Sequence, residues 1–179
     1  YTNSTAPIPG ATCTACDTCK YKTTAGNKAC MTCSGNDNGC GGPSAGNCAP
    51  GYGSTDSGVT CTACAAGKYK TVVSDSACVT CDPNSNNCGG SSAGQCLAGY
   101  GSTDSGATCT ACGSNTYKTT AGNTACVTCS ANGTGCGGTN AGVCDAGYGT
   151  TDNGVTCTAC AQRKYKLKSG NAVCTSCDV

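Results

Sequence analysis

The cysteines of this chain recur with a fixed period, which constrains the fold more than any other feature of the sequence. The 179 residues include 23 cysteines, and cysteines that share a register are 48 residues apart. One unit reads C-x2-C-x13-C-x2-C-x6-C-x7-C-x12, and no insertion or deletion interrupts it. Such a period is typical of tandem repeats in which each unit contacts the next in the same way. The sequence predicts an N-terminal segment (1–12), three complete repeats (13–60, 61–108 and 109–156) and a partial fourth (157–179).

Large apolar side chains are too scarce to build an ordinary core. The sequence has 13 large aliphatic residues and neither Phe nor Trp, whereas folding must offset about 1–2 kcal/mol of backbone entropy per residue. Disulfides can supply the difference, since each contributes about 2–4 kcal/mol. We therefore predict small disulfide-rich repeats that form an elongated rod or solenoid of short β-hairpins and loops, with little regular secondary structure and no large hydrophobic core. Disulfides on this scale indicate an extracellular or cell-surface protein.

The disulfide connectivity is open at this point, because six cysteines alone allow 15 pairings. One pattern, in the same register in every repeat, joins Cys61 to Cys78, Cys64 to Cys81 and Cys88 to Cys96. A competing pattern joins Cys48 to Cys61 across the repeat boundary, which would tie neighbouring repeats covalently. Cys19 has no counterpart in the other repeats, so we predict that it is unpaired or forms an intermolecular bridge.

Turn-forming and aromatic residues also follow the period. The segments Thr55–Gly58, Thr103–Gly106 and Thr151–Gly154 predict tight turns, and Lys68 to Val73 predicts a short strand. Seven of the eight tyrosines fall in two registers, which favours packing against disulfides or neighbouring repeats over an exposed stacking ladder. The lysines that follow the first tyrosine register are predicted to form a solvated rim. Those lysines are Lys22, Lys70, Lys118 and Lys166.

The residue types argue against catalysis and against a bound metal or cofactor. The chain has no His and no Glu, and its net charge is +1, so it offers no neutral-pH base of the usual kind and no basic face for nucleic acid. Repeated C-x2-C pairs match zinc spacing, but the absence of His and the extracellular composition favour disulfides. The recurring Asp56, Asp104 and Asp152 fit turns better than calcium ligands, since each repeat places only one carboxylate there. We expect no enzyme activity and no cofactor. No apolar run is long enough to span a membrane, and an anchor could lie outside the given residues.

Hydroxyl and amide side chains predict covalent glycans. Asn3 and Asn132 begin N-glycosylation sequons. Threonines recur just before the first cysteine of each repeat and again one residue after it, and they are possible O-glycosylation sites, although Thr also suits extended chain. Those threonines are Thr12, Thr14, Thr60, Thr62, Thr108, Thr110, Thr156 and Thr158.

The segment C-x2-C-x2-G-x-Y-x8-C-x2-C at 61–81 resembles the cysteine-rich repeats of ephrin-receptor-like and tumour-necrosis-factor-receptor-like ectodomains. The whole array, rich in Thr, Ala, Gly, Ser and Asn, is similar to the cysteine-rich surface (immobilisation) antigens of ciliates. That resemblance implies a surface coat or extracellular array with lipid anchoring.

Two functions follow from these patterns. The first is a structural role, in which a regular repeat self-associates into a surface coat or fibre, head to tail where a filament forms. The second is a ligand-binding or adhesive ectodomain whose repeats display loops. Variation between repeats is scattered rather than concentrated in one loop, which favours the structural role.

Overall fold

The structure, a computed structural model, describes residues 14–178. Within this range the regular secondary structure consists of two-residue strands paired in antiparallel hairpins, and no helix is present. The strands are β1 (Lys20–Tyr21), β2 (Met31–Thr32), β3 (Asp37–Asn38), β4 (Asn47–Cys48), β5 (Tyr52–Gly53), β6 (Thr62–Ala63), β7 (Lys68–Tyr69), β8 (Val79–Thr80), β9 (Ser85–Asn86), β10 (Gln95–Cys96), β11 (Tyr100–Gly101), β12 (Thr110–Ala111), β13 (Thr116–Tyr117), β14 (Val127–Thr128), β15 (Gly133–Thr134), β16 (Val143–Cys144), β17 (Tyr148–Gly149), β18 (Thr158–Ala159), β19 (Lys164–Tyr165) and β20 (Thr175–Ser176).

Each odd-numbered strand pairs with the strand that follows it, so three kinds of hairpin alternate along the chain. In the first kind a tyrosine faces the residue after a cysteine, as Tyr117 faces Val127 in β13–β14. The second kind ends on a cysteine, as in β15–β16, and the third places a glycine opposite a threonine, as Gly101 faces Thr110 in β11–β12. The predicted fold of small disulfide-rich hairpin repeats is confirmed. The strand predicted over Lys68 to Val73 is present only at Lys68–Tyr69.

The predicted tight turns are present and have a defined geometry. In the turn at Asp104–Ala107, Ser105 and Gly106 have φ angles of 60° and 93°, and the N–H of Ala107 donates to the carbonyl of Asp104 at 3.4 Å. Two consecutive left-handed residues are the mark of a type I′ turn, which matches the twist of a β-hairpin. The same turn recurs at Asp56–Val59 and Asp152–Val155.

When the unpaired Cys19 is set aside, every disulfide in residues 14–178 joins a cysteine to its neighbour along the chain. The paired cysteines are 13, 14 and 7 residues apart in a recurring order, and no disulfide loop overlaps another. The disulfides are Cys16–Cys30, Cys33–Cys40, Cys48–Cys61, Cys64–Cys78, Cys81–Cys88, Cys96–Cys109, Cys112–Cys126, Cys129–Cys136, Cys144–Cys157 and Cys160–Cys174.

The pairing of Cys61 with Cys78, Cys64 with Cys81 and Cys88 with Cys96 is therefore wrong, and the competing Cys48–Cys61 bridge is present. The reason lies in strand geometry. The two residues between Cys61 and Cys64 form strand β6, and side chains three positions apart on extended chain point to opposite faces. Cys61 therefore turns back to Cys48 and Cys64 turns forward to Cys78. Each C-x2-C motif links two successive loops, whereas the predicted pattern required both of its cysteines to face the same partner segment.

Buried side chains are mostly tyrosine, cysteine and alanine. Tyr21, Tyr69 and Tyr117 are buried, as predicted from packing, whereas Tyr165 is exposed. The backbone of each buried tyrosine forms an isolated parallel β-bridge with the second glycine of the next CGG segment, as Tyr117 does with Gly138. The second tyrosine register, at Tyr52, Tyr100 and Tyr148, is half-buried.

The described residues divide into two compact units. One runs up to Cys64 and includes Lys70–Cys78, and the other comprises Ala65–Tyr69 and the chain from Val79 onward. Each unit contains all three kinds of hairpin. The Cys48–Cys61 and Cys64–Cys78 bridges belong to the first unit, and the bridges from Cys81–Cys88 onward belong to the second.

Candidate functional site

Two open clefts of about 510 and 640 Å³ lie in the second unit, at corresponding positions of successive repeats. One is lined by Thr103 and Asp104 where the chain enters the type I′ turn, by Thr110 and Ala111 of β12 and by Ala125. The other is lined by the residues 48 positions later, among them Asp152, Thr158 and Ala159. Because the lining consists largely of Gly, Ala, Ser, Thr and a single Asp, the clefts offer hydroxyl groups and methyl groups rather than a large apolar pocket.

A glycine fixes the floor of each cleft. A Cβ on Gly101 would lie 2.7 Å from the backbone N of Cys126 and 2.9 Å from its Sγ. Directly opposed residues of a hairpin present their side chains on the same face. The absence of a side chain at Gly101 therefore lets the Ala125–Cys126 backbone approach the face of the hairpin that carries Thr110. Gly149 stands in the same relation to Cys174 and Thr158, and Gly53 to Cys78 and Thr62.

The acidic residue of the cleft is part of the turn. Oδ1 of Asp104 accepts hydrogen bonds from the backbone N–H of Thr108 at 3.0 Å and from the Ser102 hydroxyl at 2.7 Å. Ser102 Oγ is buried and accepts the N–H of Gly106 at 2.9 Å. The Thr108 N–H, the Ser102 hydroxyl and the Thr108 hydroxyl together lower the pKa of Asp104 to about 2.

The same network recurs at Ser54–Asp56–Thr60 and at Thr150–Asp152–Thr156. Hydrogen bonding with the Ser54 hydroxyl and the Thr60 N–H lowers the pKa of Asp56, and the corresponding groups lower the pKa of Asp152. These carboxylates accept hydrogen bonds within their own turns, as expected for turn residues.

The two threonine registers differ in their surroundings. Thr60, Thr108 and Thr156, here called the turn threonines, donate their backbone N–H to the aspartate of their turn. Thr62, Thr110 and Thr158, here called the strand threonines, lie in β6, β12 and β18. All six are exposed. Sequence reasoning treated the two registers alike, because only the folded turn brings the first of them to an aspartate.

The predicted lysine rim is wrong at three of its four positions. Lys70 and Lys118 are only 3% and 5% exposed. The Lys118 Nζ donates to the carbonyls of Cys96 at 3.3 Å, Tyr100 at 2.8 Å and Gly122. Lys70 donates to the carbonyls of Cys48, Tyr52 and Ser74, and Lys166 binds the corresponding set around Cys144, Tyr148 and Gly170.

These contacts make each of the three lysines a cap for several loops. An ammonium group has three N–H donors, which match the three carbonyls around Lys118, so the geometry requires the charged form. Burial lowers the pKa of Lys118, and it lowers that of Lys70, where Asp75 acts in the opposite direction. Lys22 makes one such contact, to Gly26 within its own loop. The only sequence signal for this role is the constant spacing of Lys from the cysteines, which does not distinguish a rim from a cap.

The remaining predicted sites are distributed over the surface. Asn132 is partly exposed directly before β15, and Thr14 is exposed. Asn3 and Thr12 lie outside the described residues. Cys19 and Cys177 carry exposed free thiols in the part of the chain that the structure describes. The sequence predicted an unpaired Cys19. It did not predict an unpaired Cys177, because the incorrect pairing pattern gave that cysteine a partner in the same register.

Among the residues that the structure describes, one group of potential metal ligands is present. Cys33, Asp37 and Cys40 bring their sulfur and carboxylate atoms within 4.8 Å of one another. Both sulfurs belong to one disulfide, and a metal requires free thiolates. In the oxidised protein this group is therefore a disulfide with a carboxylate beside it.

Comparison with known proteins does not assign a family: no family model, characterised protein or experimentally determined structure matches the chain. Across residues 14–178 the structure contains no helix that is long and apolar enough to cross a membrane. The ten disulfides between Cys16 and Cys174, set in repeated hairpins, identify the chain as a disulfide-stabilised protein of the secreted or extracellular type.

Proposed function

We propose that this protein is a non-catalytic structural component of an extracellular coat or fibre, and that its repeats self-associate and carry covalent glycans. The proposal includes the similarity to ciliate surface antigens as an analogy in composition and cysteine spacing. Membrane attachment, if the protein is used on a cell surface, would come from outside the residues given.

The observation that carries the proposal is the order of the disulfides. The three loops close over 13, 14 and 7 residues, which together are 34 of the 48 residues in a repeat. A pulling force along the chain passes through the sulfur–sulfur bonds and bypasses those loops. Only the short connections between loops remain extensible, so the repeat resists elongation even where its hydrogen bonds break.

The Cys48–Cys61 class of bridge strengthens this argument. It joins the last cysteine of one sequence repeat to the first cysteine of the next. Neighbouring repeats are thus tied by a covalent loop as well as by the backbone. A binding module needs no such continuity, whereas a load-bearing fibre or coat does.

Electron microscopy of the native, unreduced material, combined with disulfide mapping, tests the assignment. Fibres or a surface layer whose repeat corresponds to whole 48-residue units, with the neighbour-to-neighbour disulfides, would support it. Dispersed molecules with no ordered assembly, or most thiols free to alkylation before reduction, would overturn it.

Single-molecule stretching tests the mechanical argument directly. With the disulfides intact, each repeat should lengthen only by its connecting segments. Reduction should release about 100 Å more per repeat, since extended chain spans about 3.3–3.6 Å per residue. Equal lengthening before and after reduction would contradict the load path.

An adhesive or ligand-binding ectodomain is the second candidate, and the repeated cleft is the observation that favours it. Two clefts at corresponding positions of successive repeats offer a multivalent surface. Saturable binding of a soluble saccharide or peptide by the monomeric chain, weakened by Ala111→Leu and Ala159→Leu, would favour this function. Val127→Leu, at an exposed position away from the cleft lining, serves as the control.

A further inference from the structure

Positive charge is concentrated in the partial fourth repeat, although the whole chain has a net charge of only +1. Four of the ten basic residues lie within six positions, whereas residues 61–156 contain three lysines and five aspartates. A segment this rich in Lys and Arg is typical of a surface that binds an anionic polymer. The four residues are Arg163, Lys164, Lys166 and Lys168.

Three of these four side chains are accessible. Lys166 is excluded, because its ammonium group donates to backbone carbonyls. Arg163, Lys164 and Lys168, here called the basic segment, are exposed. The positions that correspond to Arg163 and Lys168 are exposed in every other repeat as well, so this exposure belongs to the repeat itself. Among residues 14–178 no acidic side chain forms an ion pair with the basic segment.

The other repeats lack this concentration of charge. In the second repeat only Lys68 is basic at these three positions. In the first repeat only Lys20 is basic, and its ammonium group lies 3.5 Å from a carboxylate oxygen of Asp17. All three positions are uncharged in the third repeat, where the residues are Asn115, Thr116 and Thr120. The basic segment is therefore specific to one repeat.

An open cleft adjoins the basic segment. Lys164 lines the cleft of about 640 Å³ in the fourth repeat, whereas Thr116 takes the corresponding place in the cleft of about 510 Å³ in the third. Sites for small molecules have volumes of about 300–1,000 Å³. The larger cleft combines threonine hydroxyls with the methyl groups of Ala159 and Ala161, which match the hydroxyl groups and C–H faces of a sugar ring.

The carboxylate in this cleft restricts the choice of ligand. Oδ1 of Asp152 accepts hydrogen bonds from the Thr150 hydroxyl at 2.5 Å and from the Thr156 N–H at 2.9 Å. These groups lower the pKa of Asp152, so it is negatively charged. A negative charge repels closely spaced phosphates but can accept hydrogen bonds from hydroxyl groups. The ligand should therefore place hydroxyl groups in the cleft and its anionic groups at the basic segment.

We propose that the fourth repeat binds an acidic polysaccharide, whose carboxylate or sulfate groups contact the basic segment while one sugar ring occupies the cleft beside Lys164. Arg binds carboxylates through two parallel hydrogen bonds, and Lys acts as a point charge. A membrane surface is a poorer match, because anionic lipids lie mainly on the cytoplasmic side. The inference rests on the extracellular part of the proposed function, and it gives the coat or fibre a polymer to hold.

The test is the affinity of the full chain, with its disulfides intact, for immobilised heparin and alginate, which are sulfated and carboxylated, with neutral dextran as the control. Binding to either acidic polymer supports the inference and identifies the anionic group. The triple variant Arg163→Asn/Lys164→Thr/Lys168→Thr introduces the residues of the third repeat. We expect its affinity to fall about tenfold, because three exposed ion pairs are lost, and we expect added salt to weaken binding by the unaltered chain.

The matched control removes the same number of charges outside the basic segment. The variant Lys20→Thr/Lys28→Thr/Lys68→Thr should change the affinity by less than about twofold. Transfer of the charges gives the converse test. Adding Asn115→Arg/Thr116→Lys/Thr120→Lys to the first triple variant should restore binding, because it rebuilds the basic segment beside the cleft of the third repeat.

Leucine substitutions test the seating of the sugar ring. Ala159→Leu narrows the cleft of the fourth repeat and should weaken binding, whereas Ala111→Leu, at the corresponding position of the third repeat, should leave it unchanged. Equal weakening by the two would overturn the inference in favour of ligand binding by every repeat.

Three further outcomes would overturn the inference. One is an equal loss in the first triple variant and its matched control, since only net charge would then matter. Another is tighter binding to phosphatidylserine vesicles or to DNA than to either acidic polysaccharide. The third is no binding by a chain that assembles into an ordered layer, which would leave the structural role intact. Polysaccharide binding by dispersed molecules would instead support the inference and count against the structural role.

Discussion

The interior and the surface of the repeats differ from those of an ordinary globular protein, since lysine side chains are buried and aliphatic side chains are exposed. Lys118 is buried among backbone carbonyls, whereas Val79, Val127 and Leu167 are 56%, 51% and 79% exposed. Loops closed every 7 to 14 residues by disulfides leave too little internal space for an aliphatic core. The interior instead satisfies the backbone of tightly turned loops, which requires hydrogen-bond donors. Stability in this protein therefore comes mainly from cross-links and hydrogen bonds rather than from buried apolar area.

The largest expected effect comes from removing an interior cross-link. The double substitution Cys96→Ala/Cys109→Ala opens a 13-residue loop whose Cys96 is fully buried. We expect a loss of about 3 kcal/mol in the free energy of unfolding, measured by amide exchange in that repeat, because the unfolded chain regains loop entropy. The control is Cys19→Ser, at an exposed free thiol, with a change of about 0.5 kcal/mol or less. An equal loss of unfolding free energy in the two variants would contradict the idea that interior cross-links stabilise the repeat more than exposed cysteines do.

The lysine caps should give the next largest effect. Lys118→Met keeps the length of the side chain but removes the ammonium donor from three carbonyls, of which Cys96 keeps a hydrogen bond from the Gly122 N–H. We expect a loss of about 2 kcal/mol in the free energy of unfolding, with faster amide exchange at Gly122, whose N–H donates to Cys96. The matched control is Lys68→Met, since Lys68 is exposed. Stabilisation by Lys118→Met would indicate that burial of the charge costs more than its hydrogen bonds return.

Close backbone packing at the cleft should give a similar or smaller effect. Gly101→Ala places a methyl group 2.7 Å from the backbone N of Cys126. We expect destabilisation of about 1–2 kcal/mol, because backbone atoms cannot yield as a flexible side chain does. Gly113→Ala is the control, since nothing lies within 4 Å of its Cβ position. The measurement is thermal unfolding of both variants, and an unchanged Gly101→Ala protein would contradict the packing argument.

The turn carboxylates predict a shallow dependence on acid. The pKa of Asp104 is about 2 in the folded protein, below its ordinary value of 3.8, so its stabilisation is present above about pH 4 and is lost as the pH falls through about 2. The amide shift of Thr108 should titrate with a midpoint near pH 2, and Asp104→Asn should abolish that titration. A midpoint near pH 4 would show that the carboxylate is not held by the turn.

The smallest expected effect comes from the exterior. Val127→Thr changes an exposed strand residue to one of the same shape, and we expect a change of about 0.5 kcal/mol or less in the free energy of unfolding. Urea unfolding of this variant beside Lys118→Met compares the two surfaces directly. A loss above about 1 kcal/mol at Val127 would indicate that the exposed valines contribute to stability after all.

Local features of the chain were accessible from the sequence because they depend on neighbouring residues. The Asp-Ser-Gly and Asp-Asn-Gly turns need only residues that tolerate positive φ at two successive positions. The scarcity of helix and the use of short hairpins follow from frequent cysteines and glycines. The cleft was not predictable in the same way, since Gly101 and Cys126 are far apart in sequence and meet only when two hairpins fold.

The 48-residue period, the dependence on disulfides, the turns and the exceptional position of Cys19 can all be read from the order of the residues. Which cysteines pair depends on the folded chain, because the two-residue strand inside each C-x2-C motif points its flanking cysteines to opposite faces. The folded chain also decides that Lys70 and Lys118 are buried, since each ammonium group finds carbonyls 22, 18 and 4 residues away along the chain. Such contacts arise where separate loops converge, and no local pattern of residues records that convergence.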